Sequence, residues 1–555
     1  MQKNCKQCGQ NFEILSEDLE FLKKISPVFS EKKYLIPEPT FCPDCRQKRR
    51  LAFRNEQCLY HRRCDFSNKQ IISVYSPEKP FKVYDQDYWW SDKWDPLDFG
   101  RDFDFKKSFF DQFKDLQHAV PRISLINKGS ENSVYNNWGM NLKNCYLVIV
   151  GRDNEDSYYS YWLWRSKDCI DCAFIMDSEL LYECVGCSHC YNLKFSQDCV
   201  GCSDSAFLHN CSGCKNCLCC VGLKNKEYFI FNEEFSKEKY EEELKKYLPL
   251  TSSVLKNLKS KLAKACDKLP VKNYHGYSAE NCVGDYMEEC KDCFNCFDAE
   301  GSQNCSYGEC VMKCKDVFDS ARSTLSELSY ENLSAVNSYN VHFSTMCWFS
   351  NDVFYSDGCN YCKNIFGCCG LKNKQYCILN KQCEKEEYEK IVAKIIRHMT
   401  QTQEWGEFFP MELSPFAYNE TVANDYYPLT KAEVLEKGLG WYEDESEKMY
   451  KGPKVEIPEK IDDATEDLCK KILICEETGK PYKIIPQELL FYKKMGLPIP
   501  KKCLDVRHKE RMKLRNPRKL WDRKCDKCGK IVKSSYAPER AEIVYCEECY
   551  LKQAY

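Results

Sequence analysis

The chain reads as mainly β: a cysteine-rich β-solenoid of about fifteen residues per coil in two duplicated blocks, flanked by duplicated α+β zinc-ribbon-like modules. Three observations predict this. The 555 residues include 41 Cys. C-x2-C pairs recur at a period of fifteen through the middle of the chain. The opening and closing segments are copies of one another. The expected organisation is a zinc-ribbon-like module (1–90), an aromatic and acidic linker or cap (91–131), solenoid block 1 with its end helix (132–250), a linking helix (251–280), solenoid block 2 with its end helix (281–400), an irregular linker (401–465) and a second zinc-ribbon-like module (466–555).

The two modules align over long stretches. FEILSEDLEFLKK (12–24) matches YKIIPQELLFYKK (482–494) at an offset of 470. From Pro37 and Pro498 onward the offset is 461, pairing Arg54 with Arg515, Asn55 with Asn516, Cys64 with Cys525 and Pro77 with Pro538. Agreement of this length within one chain marks an internal duplication. It also lets the cysteines be compared. The first copy has Cys5, Cys8, Cys42 and Cys45, where the second has Cys475, Thr478, Cys503 and Val506. The second has Cys525, Cys528, Cys546 and Cys549, where the first has Cys64, Ser67, Asp85 and Tyr88. An ancestral module with two metal sites, of which each copy kept a different one, explains both lists.

Zinc is the expected metal, about two ions, both structural. Zn²⁺ takes four soft ligands in a tetrahedron, and a C-x2-C turn supplies two thiolates from one knuckle. The spacer of seventeen between Cys528 and Cys546 suits a zinc ribbon. The spacer of thirty-three between Cys8 and Cys42 requires an inserted helix, which EDLEFLKKI provides. Four protein sulfurs close a site and leave no position for chemistry.

Each module carries a basic stretch. Between 42 and 64 seven Lys/Arg face two acids, and between 493 and 533 sixteen face four. Arg46, Lys48, Arg49, Arg50 and Arg54 in the first, and Arg507, Lys509, Arg511, Arg515 and Arg518 in the second, form cationic faces at helical spacing. Such faces suit an RNA or DNA backbone, or an acidic protein surface. The plainer reading is a solvated face, or a stripe paired with the acidic region 432–462.

In the middle, Cys169, Cys184, Cys199 and Cys214 are spaced by fifteen, as are Cys172, Cys187, Cys202 and Cys217. A period this short suits a β-solenoid, with turn-forming Asp171, Gly186, Gly201 and Asn216 at its corners. The array is doubled at an offset of 148: YNLKFS (191–196) matches YNVHFS (339–344). Ser320, Ala335 and Ser350 stand where the first block has Cys172, Cys187 and Cys202. Alanine cannot bind metal but fits a small buried position, so the ladder cysteines read as compact core residues, with metal or disulfide ladders as the alternatives. Polar helices at 236–248 and 384–396 and an amphipathic one at 252–269 are expected to cover the solenoid ends, the last with Ser as its N-cap. The tryptophan-rich segment 84–105 reads as an aromatic cap on the first coil, or as a stacking platform for bases or sugars.

FCPDCRQKRRLAFRN, YWWSDKWDPLDFGRDFDF, the cysteine array, ELSPFAYNETVANDYYPLT and the closing CDKCGK…VYCEECY together resemble a family of cysteine-rich zinc-ribbon proteins from candidate-phyla (Patescibacteria-type) bacteria. The resemblance implies zinc-ribbon modules and supplies no catalytic residues. In that family the place of 503–506 often reads C-x2-C, so Val506 departs from its pattern.

Other classes are less well served. No 18-residue apolar run suggests a membrane span, and the start, MQKNCKQCGQ, has no apolar core of a secretory signal, so a cytoplasmic protein with reduced thiols is expected. No phosphate loop, nucleophile elbow or H-E-x-x-H motif occurs, and no catalytic residue is assigned. The expectation is a zinc-stabilised interaction scaffold, its terminal modules packed as an internal pseudo-dimer. An enzyme acting on a polymer in the solenoid groove and a cysteine-based metal or redox store are the alternatives.

Overall fold

The computed structural model describes residues 1–443, 452 and 455–554. It is mixed α/β, 30 % strand and 24 % helix, with parallel sheets, so the mainly β expectation is corrected by the helices of the modules and block ends.

In both blocks each strand pairs in parallel with the segment twelve residues further on. Asn137 faces Ile149, Ile149 faces Tyr161, and Tyr161 faces Ala173. In the second block Tyr339 faces Asn351, which faces Lys363 and then Gln375. The first rung of that block is one residue shorter, with Gly276 opposite Met287. The expected period of fifteen is thus corrected to twelve. Its origin is a smaller unit. Every third residue holds a left-handed backbone, as at Asp168, Asp171, Phe174 and Asp177, and the residue after each points into the ladder. Four inward positions fit in one rung, so cysteines drawn from them recur after twelve positions or, one triplet later, after fifteen.

The triplet explains the composition. A left-handed residue strains most side chains and is easiest for Gly, Asn and Asp; Asp171, Gly186, Gly201 and Asn216 all occupy such positions. The inward residue meets backbone carbonyls at close range. Cys190 Sγ donates to the carbonyl of Ser188 at 3.2 Å and that of Cys199 at 3.5 Å. Ser160 Oγ does the same with Tyr158 at 3.0 Å and Cys169 at 3.4 Å. Serine and cysteine therefore interchange because both fill a small site and donate to the same two carbonyls. Among the described residues the cysteines form no disulfide.

Each ladder ends in an antiparallel hairpin, Glu227–Ile230 with Glu233–Glu234 and Gln375–Ile378 with Lys381–Gln382. The helices Lys237–Leu244 and Lys385–Gln401 follow. The helix Ser252–Cys266 is capped by Thr251, which accepts from Val254 N–H, rather than by the expected serine. The tryptophan-rich segment also sits elsewhere than expected. It covers the last rungs of block 2, not the first coil: Lys372 Nζ lies over the Trp94 ring at 4.8 Å and Lys374 pairs with Asp95 at 3.0 Å.

The modules dock crosswise. The N-terminal helix Ser16–Ile25 lays Phe21 on Phe318 of block 2, centroids 3.8 Å apart. Its duplicate, Pro486–Met495, sets Tyr492 against Tyr182 of block 1 at 5.6 Å. The ribbon of each module adds a short parallel strand to the segment entering a block: Val83 beside Arg122, and Val544 beside Val271.

Cys199 is fully buried at an inward position. Cys199→Ser keeps volume and donor and should change stability by less than about 1.5 kcal/mol, whereas Cys199→Leu overpacks the rung and should destabilise by about 1–3 kcal/mol. Thermal melts of the two variants beside the parent check this.

Candidate metal centres and arginine clamps

Two groups of four cysteines converge. The sulfurs of Cys5, Cys8, Cys42 and Cys45 all lie within 4.8 Å of one another, and so do those of Cys525, Cys528, Cys546 and Cys549. Either group could hold a metal ion. In the first, one pair comes from the turn between the strands Gln2–Asn4 and Asn11–Glu13, the other from the start of the helix Pro43–Leu51. The turn closes through Gly9 N–H donating to the Cys5 carbonyl at 2.9 Å, with Gly9 at φ 74°. In the second group the hairpin Trp521–Lys524/Ile531–Ser534 supplies one pair and the start of the helix Glu547–Ala554 the other.

One thiol of each group is drawn toward the thiolate, while burial and neighbouring thiols raise Cys8, Cys45, Cys546 and Cys549. The Cys45 thiol beside Cys42, helped by the Cys45 N–H, lowers Cys42 to about 5. Burial opposes ionisation of Cys525, but the N–H groups of Cys546 and Cys528 draw it down to about 6. A thiolate already favoured at neutral pH loses less to deprotonation when metal binds.

The two degenerate places are filled instead. Thr478 Oγ1 stands 3.8 Å from Cys503 Sγ, the separation of Cys8 and Cys42 Sγ in the intact copy, and Val506 packs on Cys475 and Cys503. Cys64 Sγ accepts the N–H of Ser67 at 3.5 Å and of Asp85 at 3.3 Å, while Phe66 stacks on Tyr88 with centroids 3.7 Å apart.

The basic residues are the main correction. Arg46, Arg49, Arg50, Arg54, Arg507 and Arg511 are buried, and the side chains of Arg515 and Arg518 are only 8 % and 6 % exposed. They do not form open cationic faces, because ladder carboxylates hold them. Arg46 grips Asp319 through Nε and Nη2, each at 2.9 Å, and Arg50 bridges Asp319 at 3.3 Å and Glu331 at 2.8 Å. Arg49 reaches Glu331 at 2.9 Å and Glu407 at 2.8 Å. In the second copy Arg507 and Arg511 share Asp171, the latter at 2.8 Å. Asp171 and Asp319 are equivalent at the offset of 148, as Arg46 and Arg507 are at 461. The match extends to Tyr307, donating to Asp18 at 3.1 Å, and Tyr159, donating to Glu488 at 3.1 Å. The arginines thus pair with the ladders rather than with 432–462, of which 444–451, 453 and 454 lie outside the described residues. Lys48 and Lys509 remain in contact with solvent.

A central network joins both copies. Glu309, fully buried, accepts from Gln47 of the first module at 2.9 Å, lies 3.4 Å from Arg322 and pairs with Arg518 of the second module. Glu56 pairs with Arg54 and with Arg322 at 3.3 Å and accepts from Tyr161 at 2.7 Å. Burial resists its charge, but Arg322 and Arg54 override it and hold Glu56 at about 2. At the rim Gln57 and His508 of opposite modules meet, Nε2 to Nε2, at 2.9 Å. Sequence reasoning missed Asp171, Asp319, Glu309 and Glu56. The signal was present for the first two, since one aspartate survives in both blocks as the arginines survive in both modules.

The ribbon–ladder junctions differ in the charged group that meets the ribbon tyrosine. In the first half Arg122 donates to Tyr75 OH at 3.4 Å and Asp357 at 3.1 Å. In the second, His275 takes the partner of Tyr536, with Nε2 3.0 Å from its hydroxyl and Nδ1 2.9 Å from Asp285. Burial and Arg515 disfavour the imidazolium; Asp285 and Asp198 favour it and prevail, raising the His275 pKa. Around it, burial keeps Tyr536 and Tyr286 protonated and His209 neutral. The charged form is favoured by folding. Its stabilisation is therefore complete below the ordinary imidazole pKa of about 6.5 and is lost as pH rises through the raised value.

Two outcomes follow. Asp171→Ala strands Arg507 and Arg511 and should weaken docking of 466–555 by about 3–5 kcal/mol, while Asp319→Ala acts on 1–64 instead; hydrogen exchange by segment distinguishes them. Exchange protection of 521–545 should fall as pH is raised through the His275 transition and that of 60–84 should not, with His275→Gln removing the difference.

No helix among the described residues is long and apolar enough to cross a membrane. No family model matches the chain, and no curated protein matches it, so the residues themselves carry the functional reading.

Proposed function

We propose that the protein is a zinc-stapled interaction scaffold. The twelve-residue rungs are the coils of a two-block β-solenoid, and the terminal modules, each holding one zinc ion, lock it by docking crosswise. The observation that carries this reading is the complementary loss of sites. Each module keeps one full set of four sulfurs, and its lost site is plugged by apolar or hydrogen-bonding groups that preserve the knuckle. Four sulfurs favour zinc and leave it no open position, so the ions hold the fold rather than carry out chemistry.

The ladder thiols support the scaffold over a metal store. They donate to backbone carbonyls, and among the described residues only the two terminal groups bring three or more ligand atoms within bonding range of one ion. Contact with a polyanion would fall to the lysines left outside the clamps. Lys48, Lys509, Lys513 and Lys519 line a cleft of about 790 Å³ between the modules. However, Lys519 stands near Asp44 and Lys48 near Glu433, carboxylates whose negative charge they offset.

Metal analysis tests the proposal. The purified chain should hold two zinc ions and Cys528→Ser one. The double variant Thr478→Cys/Val506→Cys, which completes the site begun by Cys475 and Cys503, should hold three. A parent with no zinc, or with many ions, would overturn the scaffold reading.

A further inference from the structure

The duplication supplies an internal control for one cavity. Where the first ribbon meets block 2, the junction is filled and encloses about 30 Å³. The equivalent junction of the second ribbon with block 1 leaves about 400 Å³. Several equivalent positions differ, among them Phe81, which the offset of 461 places level with Glu542, and four that carry polar groups in the filled half. Strand pairing sets Arg122 level with Val271, since their partners Val83 and Val544 are duplicates. The same register sets Gln117 level with Cys266. The offset of 461 relates Trp89 to Tyr550, and that of 148 relates Asp357 to His209.

In the filled half these residues complete one another. Arg122 and Gln117 both donate to Asp357 at 3.1 Å, the Arg122 guanidinium lies 4.8 Å from the Phe81 ring, and Trp89 donates to the Pro121 carbonyl at 3.0 Å. In the open half the guanidinium, the amide and the indole are gone. The acceptor shared by the guanidinium and the amide has become His209, whose imidazole has no hydrogen-bond partner among the described residues. Tyr550, accepting from Asn210 at 3.2 Å, and Tyr536 face the same space, with Leu269 and Pro270 on the apolar wall.

We infer that this cavity is a binding site for a planar, hydrogen-bonding heterocycle of nucleobase size. The filled half shows what such a ligand replaces, flat groups that donate in their own plane; Phe81, on which the guanidinium lies there, is Glu542 in the open half, where Tyr536 and Tyr550 supply the aromatic faces. The volume falls within the range of small-molecule sites. The polar groups converge on it from three parts of the chain, the end of block 1, the linking segment and the second ribbon. The inference rests on crosswise docking of the modules, not on the identity of the metal.

The test uses the full, metal-loaded chain with the free nucleobases and the four ribonucleosides as probes. At least one should raise the melting temperature in a dose-dependent way and slow alkylation of Cys266, which lines the cavity. Grafting the filled half through Val271→Arg/His209→Asp should weaken that binding at least tenfold while metal content stays at the parent's value. If the graft does not fold, Cys266→Gln and the alkylation assay on the parent give the same readout. No stabilisation and no protection of Cys266 by any probe at about 1 mM, or equal binding by a folded graft, overturns the inference. Because metal content is measured on the same sample, that failure would leave the zinc reading standing.

Discussion

Everything in this molecule depends on arginine side chains of the terminal modules being buried against single aspartates of the ladders. Asp171 and Asp319 each receive two guanidiniums from the same face of a docking helix. A buried ion pair adds little net stability over an apolar contact of the same shape, but leaving one partner unpaired is costly. The clamp therefore works mainly as a selector: a module displaced by one triplet would strand both arginines and the aspartate. Hydrophobic contacts such as Phe21 on Phe318 supply attraction, and the clamp supplies register.

The crosswise arrangement changes what the zinc centres are for. The N-terminal ion would tie a knuckle to the helix that carries the clamp, since Cys42 and Cys45 begin the helix bearing Arg46 and Arg50. The second copy shows that this tie is replaceable. There Val506 and Thr478 fill the site, and the helix Leu504–Met512 still brings Arg507 and Arg511 to Asp171. Once a module is seated on a ladder, packing around the knuckle can take over part of the work of the metal. That relaxes selection on the ligands and is a physical route by which each copy could lose a different site.

Two nearly equivalent halves also expose where they have diverged. Arg122 and His275 meet corresponding tyrosines, one with a permanent charge and one with a titratable charge. The first half has closed its ribbon–ladder junction with side chains, and the second has left it open. The ladder interiors have diverged too, with Val317, Ser320, Ala335 and Ile365 where the first block has Cys169, Cys172, Cys187 and Cys217, but these exchanges keep the positions buried, whereas the junctions have changed in charge and in cavity volume.

Much of this was determined by sequence alone. The duplications, the ligand sets, their complementary loss and a buried cysteine array all follow from fixed offsets and from the chemistry of thiols, which needs no neighbours to be specified. The rung length did not follow, because a triplet repeat with four inward positions lets cysteines recur at a spacing of fifteen as readily as at twelve, and only backbone pairing distinguishes them. The role of the arginines did not follow either. Spacing shows that Arg507 and Arg511 share a helical face, but whether that face meets water or a carboxylate remote in the chain is decided by which block the module docks on. Tertiary structure made that choice, and it turned an apparent polyanion-binding surface into the interior of the protein.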